Sequence, residues 1–327
     1  MEDIRLNGGI LYDAIQHITP EAVKGSGLFE PYSIILATTA TIGEHAMIIA
    51  DSLANQRFTN FKVRKSLSLR YAPYYLYYYF FRIDKWCLKN TNAGGLLSVD
   101  IPSLKRKPIY APLIDEQIKI AKLLRLIDER IATQNKIIED LNKLKSAISE
   151  CIFNSIKGDV VMLSEICDIV KGKQINGEYL SESGEYYVMN GGTEPSGYYS
   201  EYNVKANTIS ISEGGNSCGY VQFNNFPFWS GGHCYSLQNI ADIVDNLYLY
   251  HYLKSKEEAI MKLRIGSGLP NIQKKDLAMF KTIVPPFEQQ ITISTFLSSL
   301  ERKAEIEERI LNVMQKQKLY LLQQMFI

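Results

Sequence analysis

The sequence predicts an α+β protein with two mixed α/β globules, each followed by a long helix, and with the two long helices packed against each other as a pair. Three observations lead to this prediction. The chain repeats itself at one fixed spacing, each copy contains short β-rich runs, and each copy ends in a heptad pattern of apolar residues. Its length of 327 residues is typical of about two domains.

The repeat consists of short matches that share one offset, 248 − 75 = 173 residues. The matching pairs are Tyr75–Phe80 with Tyr248–Leu253, Gly95 with Gly268, Leu104 with Leu277, and Gln117 with Gln290. A single offset over so long a stretch is not expected by chance. Because the identity between the copies is low, it indicates that two whole domains have diverged.

The part of each copy before its helix has mixed character, with β-rich runs separated by clusters of Gly, Asn and Ser. The runs are Tyr32–Leu36, Met47–Ala50, Thr208–Ser212 and Tyr220–Phe223. Two tyrosine-rich segments, Ala72–Phe81 and Asn246–Lys254, are predicted to be short helices. Their tyrosines could stack on nucleic-acid bases, but a helix stripe that faces the core explains them more simply.

Each copy ends in a predicted helix whose apolar residues recur at alternating spacings of four and three, after a proline at 112 or 286. The first seam is Ile120, Leu124, Ile127, Ile131, Gln134, Ile138, Leu141, Lys145, Ile148 and Ile152. Adding 173 to each number gives the second seam: Ile293, Leu297, Leu300, Ala304, Glu307, Leu311, Met314, Lys318, Leu321 and Met325.

The polar interruptions of the two seams coincide, Gln134 with Glu307 and Lys145 with Lys318. A polar seam residue costs stability but specifies register. An antiparallel pairing about the seam centres brings Gln134 within about one turn of Glu307. The alternative is that each helix lies as an ordinary amphipathic helix on its own domain.

The composition allows a packed core, with 46% hydrophobic and 22% charged residues, and argues against disorder. The net charge of +1 is divided unevenly. Residues 1–110 carry 13 basic and 9 acidic residues (13 − 9 = +4), and residues 158–284 carry 10 and 14 (10 − 14 = −4). Any nucleic-acid contact in the second copy must therefore come from a local patch.

The five cysteines lack the spacing of a metal site and are expected to be small buried residues in a reducing compartment. They are Cys87, Cys151, Cys167, Cys218 and Cys234. The N-terminus lacks the apolar run of a signal peptide, and no stretch approaches the ~18–20 apolar residues that span a bilayer. We expect a cytoplasmic protein with no membrane partner.

Three runs resemble a known family. Residues 266–277 followed by 283–291 resemble the end of a target recognition domain of a type I restriction–modification specificity subunit. Residues 163–173 resemble the start of such a domain, and residues 32–43 resemble its central strand and loop. Each run is weakly specific alone, but their order, present twice, is specific and covers nearly the whole chain.

The resemblance implies a first target recognition domain at 1–110, a first spacer helix at 111–157, a second target recognition domain at 158–286 and a second spacer helix at 287–327. It also implies that each domain reads one half of a split sequence in double-stranded DNA, while the two helices pack as an antiparallel coiled coil and set the gap between the half-sites. Modification subunits would dock on the chain and methylate adenine N6. Restriction subunits would add translocation and cleavage. S-adenosylmethionine, ATP and Mg are then expected only on those partner subunits, with no cofactor on this chain.

The residues give no indication of catalysis or of a metal site. Methylation of a base amino group needs an Asn or Asp before Pro-Pro-aromatic, and the only such run has Val284 at that position. The chain has no phosphate-binding G-x4-G-K-[ST] loop, and its four histidines have neither metal spacing nor a triad context. Two alternatives stay open: a scaffold that binds only proteins, and, least favoured, a free-standing methyltransferase.

The candidate DNA-contacting residues lie in polar, turn-like segments next to strands, because amide, hydroxyl and basic side chains read base edges and phosphates. In the second copy they are Lys171, Lys173, Gln174, Asn190, Asn216, Ser217, His233, Ser267 and Asn271. In the first copy they are Thr38, Thr39, Thr41, Asn55, Gln56 and Arg57. An ordinary polar loop is the alternative for any one of them.

The two copies differ at their beginnings. Around Ile34 and Ile209 the offset is 209 − 34 = 175, so Val160–Ile175 of the second copy has no counterpart in the first. That segment reads as an opening β-rich run and a basic turn. We therefore expect an N-terminally truncated first domain with an open sheet edge and fewer phosphate contacts.

Overall fold

The computed structural model describes residues 2–6, 8–23, 28–92, 97–266 and 270–326. The chain divides into two compact units. Unit 1 is Met1–Ile138 with Glu307–Ile327, and unit 2 is Glu139–Ile306. Each unit therefore contains one globule together with parts of both long helices. In the described part of the chain, no helix has the length and apolarity that crossing a membrane requires.

The globule of unit 1 is built on a four-stranded sheet of order β1-β3-β2-β4, in which only the β1–β3 pair is parallel. A helix, α2, covers one face of this sheet. The elements are α1 (Glu2–Leu6), β1 (Ile10–Leu11), β2 (Ser33–Ala37), β3 (His45–Ile48), β4 (Phe58–Phe61), α2 (Pro73–Lys89), β5 (Thr91–Asn92), β6 (Ser98–Val99), α3 (Ile101–Arg106) and the long helix α4 (Ile114–Ser155).

The globule of unit 2 contains an antiparallel four-stranded sheet of order β12-β11-β14-β8, a second sheet of order β10-β9-β13, and a β15–β7 pair. Its elements are β7 (Asp159–Met162), α5 (Leu163–Ile166), β8 (Asp168–Lys171), β9 (Tyr186–Met189), β10 (Tyr198–Tyr199), β11 (Thr208–Ser212), β12 (Val221–Asn224), β13 (Trp229–Ser230), β14 (Cys234–Gln238), α6 (Asn246–Ser255), α7 (Glu257–Met261), α8 (Lys274–Ala278), β15 (Lys281–Val284) and the long helix α9 (Phe287–Met325).

Three strands have the same arrangement and register in both globules. Ile34 of β2 pairs with Met47 and Phe61, and Ile209 of β11 pairs with Phe223 and Leu237. Strands β3-β2-β4 therefore correspond to β12-β11-β14, as the sequence repeat predicts. The fourth strand differs, because β1 is added outside β3 in unit 1 whereas β8 is added outside β14 in unit 2.

The tyrosine-rich helices face the cores, which confirms the simpler interpretation of their sequence. In unit 1, Tyr75, Tyr77 and Tyr78 of α2 are at most 1% exposed and belong to the same apolar cluster as Ile34 and Leu36 of β2. The α6 tyrosines of unit 2 pack in the cluster of Ile209 and Ile211 in the same way. Helix α2 extends past the predicted end at Phe81 because Ile83 and Cys87 continue its buried face.

All five cysteines are free thiols, and four of them are buried; Cys151 on α4 is exposed. Burial raises the pKa of the Cys167 thiol to about 12. The expectation of small buried residues is thus correct for four of the five. Among the described residues, no cluster of His, Cys, Asp and Glu could hold a metal ion.

A buried glutamine joins each globule to the first turn of its long helix. Gln117 Nε2 donates to the carbonyl oxygens of Arg70 (2.9 Å) and Pro112 (2.8 Å), and its Oε1 accepts from the Ala72 N–H (3.0 Å). Gln290 makes the same three bonds, to Ile243 O (2.9 Å), Pro285 O (2.8 Å) and Asp245 N (2.8 Å). Both glutamines are 1% exposed. The matched pair found in the sequence is therefore a repeated structural joint.

Within each unit the two long helices pair antiparallel through polar contacts at the seam. In unit 1, Gln134 Nε2 donates to Glu307 Oε2 at 2.6 Å, which confirms the predicted register. Lys318 Nζ pairs with Asp128 in unit 1 (2.5 Å), and Lys145 Nζ pairs with Glu301 in unit 2 (3.2 Å). The offset converts one ion pair into the other, since 145 + 173 = 318 and 128 + 173 = 301. The two ion pairs of the coiled coil are therefore related by the same offset as the two copies of the sequence repeat.

Replacing Gln290 by alanine should destabilise unit 2 by about 3 kcal/mol, because two carbonyls and one N–H lose their buried partner. The chain has one tryptophan in each globule, Trp86 and Trp229. In a Trp86→Phe background, urea unfolding followed by tryptophan fluorescence therefore reports on unit 2. Gln289→Ala is the matched control, since Gln289 is exposed on the same helix turn. Equal midpoint shifts for the two alanine variants would contradict the joint.

Gln134→Cys combined with Glu307→Cys should be linked within one chain by a short bifunctional thiol reagent, because the two side chains are in contact. Cys151→Ser in the background removes the exposed native thiol. Mass spectrometry of the digested protein identifies the linked peptides. A chain with Gln134→Cys and Met325→Cys should not be linked; preferential linkage of residue 134 to 325 or 293 would show a different register.

Candidate nucleic-acid interface

In both globules the loop that follows the central strand has a similar backbone course, with one more residue in unit 2. It runs from Thr38 to Gly43 after β2 and from Glu213 to Gly219 after β11. Ala40 and Gly215 both adopt left-handed backbone angles, with φ of 62° and 76°. The loop ends on a glycine with φ near 90° in each case: 94° at Gly43 and 91° at Gly219.

Backbone hydrogen bonds bring two further segments to each of these loops. The Thr38 N–H donates to Arg57 O at 2.9 Å, and the Glu213 N–H donates to His233 O at 2.9 Å. On the other side, Val99 N donates to Thr38 O (2.9 Å) and Ile272 N donates to Glu213 O (2.8 Å). Each globule therefore gathers three segments at one place, here called its loop end: residues 38–43, 55–57 and 98–99 in unit 1, and 213–219, 231–233 and 271–272 in unit 2.

An exposed basic side chain occupies the same position at both loop ends. Arg57 precedes β4, and His233 precedes the equivalent strand β14. Both side chains are exposed. The offset has drifted here to 233 − 57 = 176, so the spacing of 173 did not reveal this pair.

Unit 2 adds a charged cluster around Glu213, which the sequence analysis missed. Glu213 is 6% exposed, and its Oε1 accepts from Lys171 Nζ (2.7 Å) and Tyr235 OH (3.0 Å). His233 Nδ1 lies 3.9 Å from Oε2, which accepts no hydrogen bond. Burial raises the pKa of the Tyr235 hydroxyl, and the charge of Glu213 and its hydrogen bond with Tyr235 raise it further. Glu213 thus holds Lys171 at the loop end, and the only sequence signal was its position between a strand and two glycines.

The structure places most of the predicted unit 2 residues around this cluster. Asn190 Oδ1 accepts from the His233 N–H at 3.1 Å, and Asn271 forms an isolated antiparallel β-bridge with Gly214. Lys173 donates its N–H to Ser230 O at 2.8 Å, and Gln174 packs against Gly232. Exposed Asn216 and half-buried Ser217 lie on the loop itself. Ser267 lies outside the described residues.

In unit 1 the six predicted residues also come together. Asn55 and Gln56 are exposed in the turn before β4, where Asn55 Oδ1 accepts from the Arg57 N–H at 3.0 Å. Thr39 and Thr41 are half-buried on the loop. Thr38 is 8% exposed and its hydroxyl donates to Arg57 O (3.1 Å), so it holds the turn and does not present a free donor. No counterpart of Lys171 is present among the described residues.

These loop ends have the chemistry for reading DNA. They offer cationic, amide and hydroxyl side chains for base edges, together with turn N–H groups for phosphate. His45 is no part of such a site, because its Nδ1 faces Asp84 at 2.9 Å and its Nε2 faces Tyr77 O at 3.1 Å in the core. Because the ring nitrogens are both engaged, a structural role accounts for this histidine.

Comparison with known proteins identifies the family. The family model for the type I restriction modification DNA specificity domain matches residues 6–143 and again residues 157–316. The specificity subunit of the type I restriction enzyme EcoprrI of Escherichia coli is 29% identical over 320 residues, 92% of this chain and 79% of the relative. A putative type I specificity subunit of Mycoplasma pneumoniae is 33% identical over 156 residues, 47% of this chain and 41% of the relative.

Solved structures share the fold. The crystal structure of a type I restriction–modification S subunit from M. genitalium superposes with a TM-score of 0.66 at 18% identity, covering 95% of this chain and 92% of that one. A chain from a structure of type I restriction–modification complex assembly gives a TM-score of 0.61 at 17% identity, covering 93% and 84%. Catalytic activity in type I systems lies in subunits other than the specificity subunit. The two family matches, one on each copy of the repeat, show that this chain belongs to the family of type I restriction–modification DNA specificity subunits.

Proposed function

We propose that this chain recognises a bipartite DNA sequence, with the loop end of unit 1 reading one half-site and that of unit 2 reading the other. The observation that carries the proposal is the equivalent placement of Arg57 and His233, each fixed by the same backbone bond to the loop after the central strand. A scaffold that binds only proteins has no need for two matched polar loop ends with an exposed basic residue at the same position.

The balance of charge supports reading by local patches. The globule of unit 2 is acidic overall, but the negative charge of Glu213 at its loop end is paired with Lys171. The Lys171 side chain is 53% exposed. Lys171 and Lys173 supply basic side chains suited to phosphates, whereas His233 and the neighbouring amides Asn190, Asn216 and Asn271 are suited to base edges.

The chain would direct catalysis that other subunits perform. Modification subunits that bind S-adenosylmethionine would methylate adenine within the recognised sequence, and restriction subunits that use ATP and Mg would translocate and cleave DNA. The complex would act on DNA in the cytoplasm. Gel-shift assays of the chain with and without its modification subunits test whether it recognises DNA. Sequence-specific retention supports it, whereas the absence of DNA affinity in both states favours the scaffold.

Arg57→Ala should weaken the base preference within one half-site, and His233→Ala should weaken it within the other. The expected loss of discrimination is about 1–3 kcal/mol at the base pair that each side chain contacts. Selection of bound sequences from a random DNA pool by the complex with modification subunits measures the preference at every position. Arg64→Ala is the matched control, since Arg64 is exposed in unit 1 away from the loop end. Changes at the same half-site for both variants would contradict separate readers.

Inserting one heptad into α4 and one into α9 should lengthen the gap between half-sites and leave the half-sites unchanged. Helix α4 has 42 residues, which correspond to about 63 Å, and a heptad adds about 10 Å, or about three base pairs. Methylome sequencing of a host that carries the variant with its modification subunit reads the gap directly. A methylated motif with the original gap would rule out a ruler function of the helices.

A further inference from the structure

The side chain of Glu213 leaves one buried oxygen without a partner at the loop end of unit 2. Its Oε1 accepts from Lys171 Nζ at 2.7 Å, whereas no group in the described part of the chain donates to Oε2. Glu213 is 6% exposed, and Oε2 itself is buried. A buried carboxylate oxygen without a donor costs free energy, so a donor within reach of it is favoured to bind it.

The ring of His233 is placed to supply that donor. Its Nδ1 lies 3.9 Å from Oε2, about 1 Å beyond hydrogen-bond distance. The His233 backbone is held on both sides, because its N–H donates to Asn190 Oδ1 (3.1 Å) and its carbonyl accepts from the Glu213 N–H (2.9 Å). The packing there is close, since a Cβ atom at Gly191 would lie only 3.0 Å from His233 Cβ. A small rotation of the ring therefore closes the contact while the backbone stays in place.

This contact decides which ring nitrogen carries the proton. An ionised carboxylate only accepts hydrogen bonds, so Nδ1 must carry the hydrogen, and Nε2 of the neutral ring is left as an acceptor. Nε2 lies at the far end of the ring, and the His233 side chain is 63% exposed. Glu213 thus makes His233 an accessible hydrogen-bond acceptor at the loop end.

Unit 1 has a different arrangement at the same place. The equivalent of Glu213 is Thr38, because each residue donates its N–H to the carbonyl of the basic residue at its loop end. The Thr38 hydroxyl also donates to Arg57 O, and the Arg57 guanidinium can only donate. The two loop ends therefore present opposite chemistry to a ligand: a donor at Arg57 in unit 1 and an acceptor at His233 in unit 2.

We propose that Glu213 is a positioning residue that makes His233 read an amino-bearing base, adenine or cytosine, within the half-site of unit 2. In the major groove the N6 amino group of adenine and the N4 amino group of cytosine donate hydrogen bonds, whereas guanine O6 and thymine O4 accept them. An acceptor at Nε2 therefore pairs with adenine or cytosine and is repelled by guanine and thymine. The inference rests on the proposed recognition of DNA and deepens it by naming the class of base.

Glu213→Gln tests this inference, because it keeps the shape of the side chain and reverses the hydrogen bond to the ring. Lys171 Nζ can only donate, so the amide oxygen of the glutamine takes the place of Oε1 and the NH2 group takes the place of Oε2. The NH2 group then donates to Nδ1, and the single proton of the neutral ring moves to Nε2. The variant ring presents a donor, so guanine or thymine should replace adenine or cytosine.

The first measurement is selection of bound sequences from a random DNA pool by the complex with modification subunits, at about pH 8, where an ordinary imidazole is neutral. His233→Ala identifies the position that His233 reads. There the unaltered complex should prefer adenine or cytosine by about tenfold, and the Glu213→Gln complex should prefer guanine or thymine. The half-site of unit 1 should be unchanged, which controls for folding and assembly. Glu194→Gln is the matched control, since it removes the same charge from an exposed position in the same globule.

The second measurement needs no DNA. Heteronuclear NMR of the full chain with isotope-labelled histidine distinguishes the two ring tautomers, and His233→Ala assigns the signal among the four histidines. Nδ1 should carry the proton in the unaltered chain, and Nε2 should carry it in the Glu213→Gln chain. A ring protonated at Nε2 in the unaltered chain overturns the inference even if the variant does not fold.

The outcomes separate this inference from the proposed function. A preference for guanine or thymine in the unaltered complex, an unchanged tautomer or base preference in the Glu213→Gln chain, or a preference that is lost without being exchanged would each overturn the inference and leave DNA recognition intact. So would a His233→Ala complex with unaltered preferences at every position. A complex that selects no sequence at all would overturn the proposed function, and the reading of an amino-bearing base with it.

Discussion

The buried amide at the start of each long helix is the contact that fixes each globule on its helix. The proposed reading of DNA requires each loop end to have a fixed orientation on its helix, and Gln117 and Gln290 each make three hydrogen bonds that fix it. The bonds reach the chain on both sides of the joint, in the turn before the tyrosine helix and at the proline before the long helix. A glutamine is suited to this position because its side chain both donates and accepts without carrying a charge that burial would penalise.

The second constraint is the register of the helices. Apolar seams alone would permit slippage by a heptad, but the polar contacts Gln134–Glu307, Lys145–Glu301 and Lys318–Asp128 are satisfied in one antiparallel register. The ion pairs are partly exposed, so their contribution to stability is modest and their role is to specify the pairing. The repeat at 173 residues thus appears in the globules, in the joints and in the seams.

Much of this organisation could be predicted from the sequence, because it follows from periodicity. The heptad seams, the central contact of Gln134 with Glu307 and the core-facing tyrosines follow from spacing on a helix. Other features depend on the fold and leave little trace in the chain. Gln117 and Gln290 were recognisable as a matched pair, but their hydrogen bonds depend on segments about 45 residues away in sequence. Glu213 was missed because an acidic residue is not expected at a surface proposed to bind DNA, and its role in the structure is to hold Lys171. The equivalence of Arg57 and His233 was hidden by small insertions that moved the offset from 173 to 176.

The central claim is that one chain carries two similar DNA readers, one in each unit. Hydroxyl-radical footprinting of the chain with its modification subunits on a DNA that contains the methylated motif tests it most directly. The account predicts two protected patches, each over one half-site, with an accessible stretch between them, and loss of only one patch when one half-site is scrambled. A single continuous footprint that disappears as a whole when either half is scrambled would contradict the account.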